Sequence, residues 1–109
     1  MANTFKLKTK ANVGVTTVGI YTAPAATTTA VIGITLANTS GSGVNVGVGI
    51  TRAGTTEDVK LLKNAPIPQG SSLEFMGGNK VVLEATDTVT VDSDTNNSID
   101  AALTIMEIT

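Results

Sequence analysis

The chain contains no cysteine, no histidine and no tryptophan. Without cysteine there is neither a disulfide nor a thiolate metal ligand, so stability has to come from packing and sheet hydrogen bonds. Without histidine or cysteine the usual proton shuttle and the strongest nucleophile are missing, while an aspartic or glycosidase-type carboxylate pair stays formally open. The carboxylates open to that role are Glu57, Asp58, Glu74, Glu84, Asp87 and Asp100. Several sit at outward strand positions or in turns, where such groups keep a surface soluble, and the chain is expected not to be an enzyme. Aromatic residues are limited to Phe5, Tyr21 and Phe75, so the core must be built from Val, Ile, Leu and Ala. No stretch reaches the ~18 apolar residues of a membrane span, and Met1 to Lys6 lacks the apolar core of a secretory signal. Neither membrane insertion nor classical secretion is expected. A basic stripe and aromatic platforms are also lacking, which argues against nucleic acid as a partner.

What the chain does have is β-branched sequence, with 19 threonines and 12 valines in 109 residues. That length suits one domain spanning residues 1–109. The run Thr27 to Thr51 sets the class. Thr27 to Leu36 is β-branched almost throughout and apolar on both faces, as a central strand would be. In the run that follows, Val44, Val46, Val48 and Ile50 alternate with Asn45, Gly47, Gly49 and Thr51, a period of two that no helix can use. Asn38 to Gly43 would join the two as a hairpin.

Similar alternation recurs along the chain. Thr4 to Lys10 sets Phe5, Leu7 and Thr9 against Lys6, Lys8 and Lys10, and predicts an edge strand with the lysines outside. Val13 and Val15 change parity against Val18 and Ile20 near Thr16. Val59 and Leu61, Leu73 and Phe75, Val81 and Leu83, and Val89 and Val91 mark further strands, with reversals at Ala53 to Thr55 and Gly77-Gly78. Asn64 to Gly70 reads as a rigid connector, and Ile99, Ala101, Leu103 and Ile105 carry the last inward face. The expectation is an all-β, antiparallel β-sandwich of about eight strands, jelly-roll-like or immunoglobulin-like.

Two features suggest contact surfaces. The Lys6, Lys8 and Lys10 row is one. The other is Asn45, Gly47 and Gly49, which would leave a strip of bare backbone open to a neighbouring chain or ligand. Residues 1–56 carry a net +4 and residues 57–109 a net −6, an asymmetry that would let copies associate. Asp92, Asp94 and Asn96 occupy the first, third and fifth positions of a calcium-loop pattern. The sixth is Asn97 rather than glycine and the twelfth is Leu103 rather than glutamate, so an Asx-rich hairpin turn is expected, with no metal and no cofactor. Asn38-Thr39-Ser40 and Asn96-Asn97-Ser98 match the glycosylation pattern and are read as turns.

Tyr21 to Thr28, with the sequence YTAPAATT, resembles a turn found in small β-sandwich virion proteins of tailed bacteriophages, particularly phages of marine bacteria. Ala30 to Thr39, Ala65 to Leu73, Leu83 to Val91 and Met106 to Ile108 resemble further segments of the same group. The group tends to have glycine where this chain has Ala26 and Thr86. The resemblance implies a non-enzymatic structural component of the virion, assembled in the host cytoplasm and partnered by the major capsid protein or other virion proteins. On this reading it is a capsid decoration or cement protein and a homo-oligomer, with a trimer favoured. A neck, tail or fibre adaptor is the alternative; a carbohydrate-binding sandwich, with Tyr21 as its stacking ring, is the alternative of another class.

Overall fold

The computed structural model describes residues 3–54, 57–75 and 81–108. Among them lie nine strands: β1 (Asn3–Val13), β2 (Val18–Thr22), β3 (Thr28–Asn38), β4 (Val44–Arg52), β5 (Glu57–Ile67), β6 (Ser72–Phe75), β7 (Val81–Leu83), β8 (Thr88–Ser93) and β9 (Ile99–Ile108). They form two antiparallel sheets. Sheet A runs β1-β9-β3, with β6 and β7 both pairing the far side of β3, and sheet B runs β2-β8-β4-β5. The pairs are nested: β1 with β9, β2 with β8, β3 with β6 and β7, β4 with β5. A long hairpin rolled up on itself gives this order, which defines a jelly roll and excludes the immunoglobulin-like alternative.

The rolled topology corrects the expected hairpin at Asn38 to Gly43. β3 belongs to sheet A and β4 to sheet B, so this segment crosses between the sheets. Asn38 makes the crossing possible without orphaned backbone. Its buried side chain donates from Nδ2 to Ser42 O at 2.8 Å and to Ile67 O at 2.9 Å, while Oδ1 accepts from Ser40 N and Ser40 Oγ. The loop between β8 and β9 likewise crosses from sheet B to sheet A and is not a hairpin turn. β4 and β5 are consecutive strands paired within one sheet, in agreement with a reversal at Ala53-Gly54. Thr55 and the Gly77-Gly78 turn lie outside the described residues.

The interior follows the alternation. Val31, Ile34 and Leu36 of β3, Val44, Val46, Val48 and Ile50 of β4, Val89 and Val91 of β8, and Ile99, Ala101, Leu103 and Ile105 of β9 are all buried in one cluster shared by both sheets. Each fully buried Leu, Ile or Val contributes about 1.5–3 kcal/mol of transfer free energy, and this aliphatic packing replaces the missing aromatics. The supposed connector at Asn64 is in fact the end of β5. A left-handed Asn64 (φ 55°) and register shifts opposite Val46 and Val48 bend the strand, and Pro66 is tolerated because β5 is an edge with one side unpaired.

Candidate functional site

β1 inverts the expected parity. Lys6, Lys8 and Lys10 stand opposite Ile105, Leu103 and Ala101 of β9, three residues of its buried face, so the lysines lie on the side of sheet A that looks toward sheet B. Phe5 and Leu7 stand opposite Met106 and Thr104 and are 67% and 63% exposed. The lysines are therefore inward-directed charges at an open sheet edge, a device that blocks unwanted strand addition.

Lys6 has a partner there. Its Nζ lies 2.8 Å from Glu107 Oε1, and the Tyr21 hydroxyl donates to Glu107 Oε2 at 2.7 Å. Thr29 Oγ1 is 2.8 Å from the same hydroxyl, so four side chains from β1, β2, β3 and β9 form one polar chain between the sheets. The Lys6 and Tyr21 hydrogen bonds hold the Glu107 carboxyl below its ordinary range. Burial in turn pushes the Tyr21 phenol up to about 12, opposed by Thr29 and reinforced by Glu107. Because Tyr21 is buried, it offers no ring for a sugar to stack on. Lys6 is a structural residue, and of the row only Lys8 and Lys10 remain as contact candidates.

The Asn45, Gly47 and Gly49 strip is not bare. Asn45 is exposed, but Gly47 and Gly49 are buried by their neighbours in sheet B. A Cβ on Gly47 would sit 2.5 Å from Asp92 Oδ1, and one on Gly49 would sit 2.8 Å from Val59 O. The glycines exist to let Asp92, Thr90 and the bent β5 close over β4.

The Asp92, Asp94 and Asn96 oxygens serve as clamps between distant segments. Asp92 Oδ2 accepts from Thr17 Oγ1 at 3.0 Å, Asp94 Oδ1 from Asn45 N at 3.2 Å, and Asn96 Oδ1 from Val15 N at 3.4 Å. Backbone bonds Ser93 N to Gly14 O, Asp94 N to Asn45 O and Ser98 N to Val13 O tie the same corner. Among the described residues no group of three or more His, Cys, Asp or Glu is placed to hold a metal ion.

The remaining carboxylates are dispersed. Asp100 Oδ1 accepts from Asn12 N at 3.0 Å, and Asp58 and Glu74 are exposed strand residues. Glu84 and Asp87 converge, but on a cation: Arg52 Nη2 is 2.8 Å from Glu84 Oε1 and its Nε is 2.9 Å from buried Asp87 Oδ2. Asp87 also accepts from the Glu84 amide at 3.0 Å, closing its own turn. Sequence reasoning missed Arg52 and Glu107, because their partners lie 32 to 101 positions away and no local spacing announces them.

These features define a jelly-roll β-sandwich whose polar side chains mostly lock its corners. No protein-family model and no curated protein matches the chain. A solved structure does match in fold, described in the words "Bacillus endospore appendages form a novel family of disulfide-linked pili". Its TM-score is 0.56 at 18% identity, over 96% of this chain and 85% of that one. At that identity the likeness speaks for the fold.

Proposed function

We propose that this protein is a non-enzymatic structural subunit of a particle, a virion component of a tailed phage, and that its station is the outside of the head as a decoration or cement protein. The observation that carries the reading is where the side-chain chemistry goes. Asn38, Arg52, Asp87, Asp92, Asp94, Asn96 and Glu107 are spent on joining segments of the roll, while the exposed exceptional residues are apolar side chains, beside a half-buried Lys8 and an exposed Lys10 on an open edge. Such a molecule presents a rigid surface, not a reaction centre. The segments around Tyr21, Ala65 and Leu83 that resemble phage virion proteins support the particle, and the pilus likeness supports a subunit fold used in repeating assemblies.

The disulfide chemistry named for the pilus protein has no counterpart in a chain without cysteine. Contacts to a shell would be noncovalent, with Lys8 and Lys10 as the basic edge offered to the major capsid protein. Deleting the gene and heating the resulting particles tests the station. A decoration protein predicts heads that release DNA at a lower temperature than wild type and recover when purified protein is added back. Heads of unchanged stability would move the protein to the neck, tail or a fibre.

A further inference from the structure

Sheet A turns an almost uncharged face toward solvent. The register places Phe5, Met106, Ala30 and Val82 directly opposite one another across β1, β9, β3 and β7. Phe5 and Val82, at the two ends of this apolar row, are 67% and 60% exposed. Beside the row, Ala102 and Thr104 of β9 and Gly33 and Thr35 of β3 line a concavity of about 420 Å³. It is open at its centre, since a Cβ built on Gly33 would meet nothing within 4 Å. Charge reaches this face at its margins: Glu74 lines the concavity, and Lys10 and Asp100 line a second hollow beside it, Asp100 being engaged by the Asn12 amide. The outward face of sheet B, by contrast, carries Asp58, Lys60 and Asp92 opposite Thr51, Gly49 and Gly47.

We propose that the outer face of sheet A is a self-association surface. A second copy packs on it about a two-fold axis, so that the Phe5 to Val82 row of each copy covers the Gly33 trough of the other. Ridge and trough lie side by side on one face, which is the arrangement a two-fold axis makes self-complementary. The face has no cluster of one charge that would select a basic or acidic partner, whereas a second copy brings the matching apolar row. Its size suffices. Three strands about 4.8 Å apart and about ten residues long at about 3.3 Å each, with the short β6 and β7 beyond them, cover roughly 600 Å² per copy, or roughly 1,200 Å² in all, at the low end of specific interfaces. The contact is a property of the free protein and does not depend on which particle it serves.

Sedimentation equilibrium of the full chain tests it. The wild type is expected to dimerise reversibly, with Phe5→Lys and Gly33→Asp each raising the dissociation constant at least about tenfold. Both sites lie in open space, so circular dichroism melts should stay close to wild type. A chain carrying both changes should regain affinity, because each new lysine then lies over the partner copy's aspartate. Should Gly33→Asp fail to fold, Val82→Lys at the far end of the row is expected to weaken the dimer as Phe5→Lys does. A wild type that stays monomeric into the upper micromolar range, or a dimer indifferent to Phe5→Lys and Val82→Lys, would overturn the proposal. Neither result would bear on presence in virions, which is read separately from purified particles.

Discussion

The Tyr21 hydroxyl, at the end of β2 in sheet B, donates a 2.7 Å hydrogen bond to Glu107 of β9 in sheet A. One bond thus spans the two layers, and Lys6 on the other carboxylate oxygen extends it to the edge strand. The chain has one tyrosine and no tryptophan, so absorbance near 295 nm reports this contact alone. Native protein should ionise Tyr21 only around pH 12, against about 10 in the unfolded chain. A phenol pKa raised by folding contributes stability that is complete below its unfolded value and is lost as pH rises through the folded one. Alkaline unfolding should therefore begin above about pH 10. Tyr21→Phe, which removes the donor, should lower Tm by roughly 4–8 °C, the shift that about 1 kcal/mol produces in a domain of this size.

Glu107 carries the opposite sign. Its carboxyl is held down by Lys6 first and Tyr21 second, so its contribution is present above the ordinary carboxylate range and fades as pH falls through the lowered value. Glu107→Gln should flatten the acid side of a Tm against pH curve. Lys6→Glu, which sets a second carboxylate against the first, should destabilise at neutral pH, whereas Lys10→Glu should leave Tm nearly unchanged. Equal melting of Lys6→Glu and Lys10→Glu would contradict a structural role for Lys6 that Lys10 does not share.

Ala26 and Thr86 both adopt left-handed backbone, with φ of 58° and 70°. A β-branched residue there is strained. Relief of that strain, set against the freedom glycine adds to the unfolded chain, should make Thr86→Gly more stable by about 0.5–1 kcal/mol, and Ala26→Gly by less. Urea titrations resolve this difference. A destabilised Thr86→Gly would mean that the threonine hydroxyl, not the backbone, governs the turn.

The strand glycines Gly33, Gly47 and Gly49 should separate cleanly on replacement by alanine. At Gly47 and Gly49 the new methyl would meet Asp92 and the Val59 carbonyl, costing about 1–3 kcal/mol. At Gly33 it meets nothing, and alanine should be neutral or stabilise by up to about 1 kcal/mol. Chemical denaturation of the three variants checks the order, and a Gly33→Ala loss equal to that of Gly49→Ala would contradict the open trough.

Strand positions were largely legible because burial on one face imposes a period of two. β9 shows this most clearly, with Ile99 to Ile105 alternating as the sequence implied. The period does not say which parity faces inward when one side is a row of lysines at an edge, and β1 came out inverted for that reason. Packing supplied what spacing lacked, since Lys6 finds its carboxylate on β9. Strand order was illegible because neighbouring runs such as β3 and β4 are joined by a loop that fits a hairpin as well as a crossing. The buried Asn38 side chain decides between them through contacts to Ser42 and Ile67. The glycine strip failed as a contact surface because its cover, Asp92 and the bent β5, comes from elsewhere in the chain.

The most direct measurement for the central claim is the copy number of this protein per purified particle, by quantitative mass spectrometry against the major capsid protein. A ratio near the shell protein's own abundance is the predicted result and fits a decoration protein. A handful of copies would place it at the neck or tail, and its absence from purified virions would contradict the account.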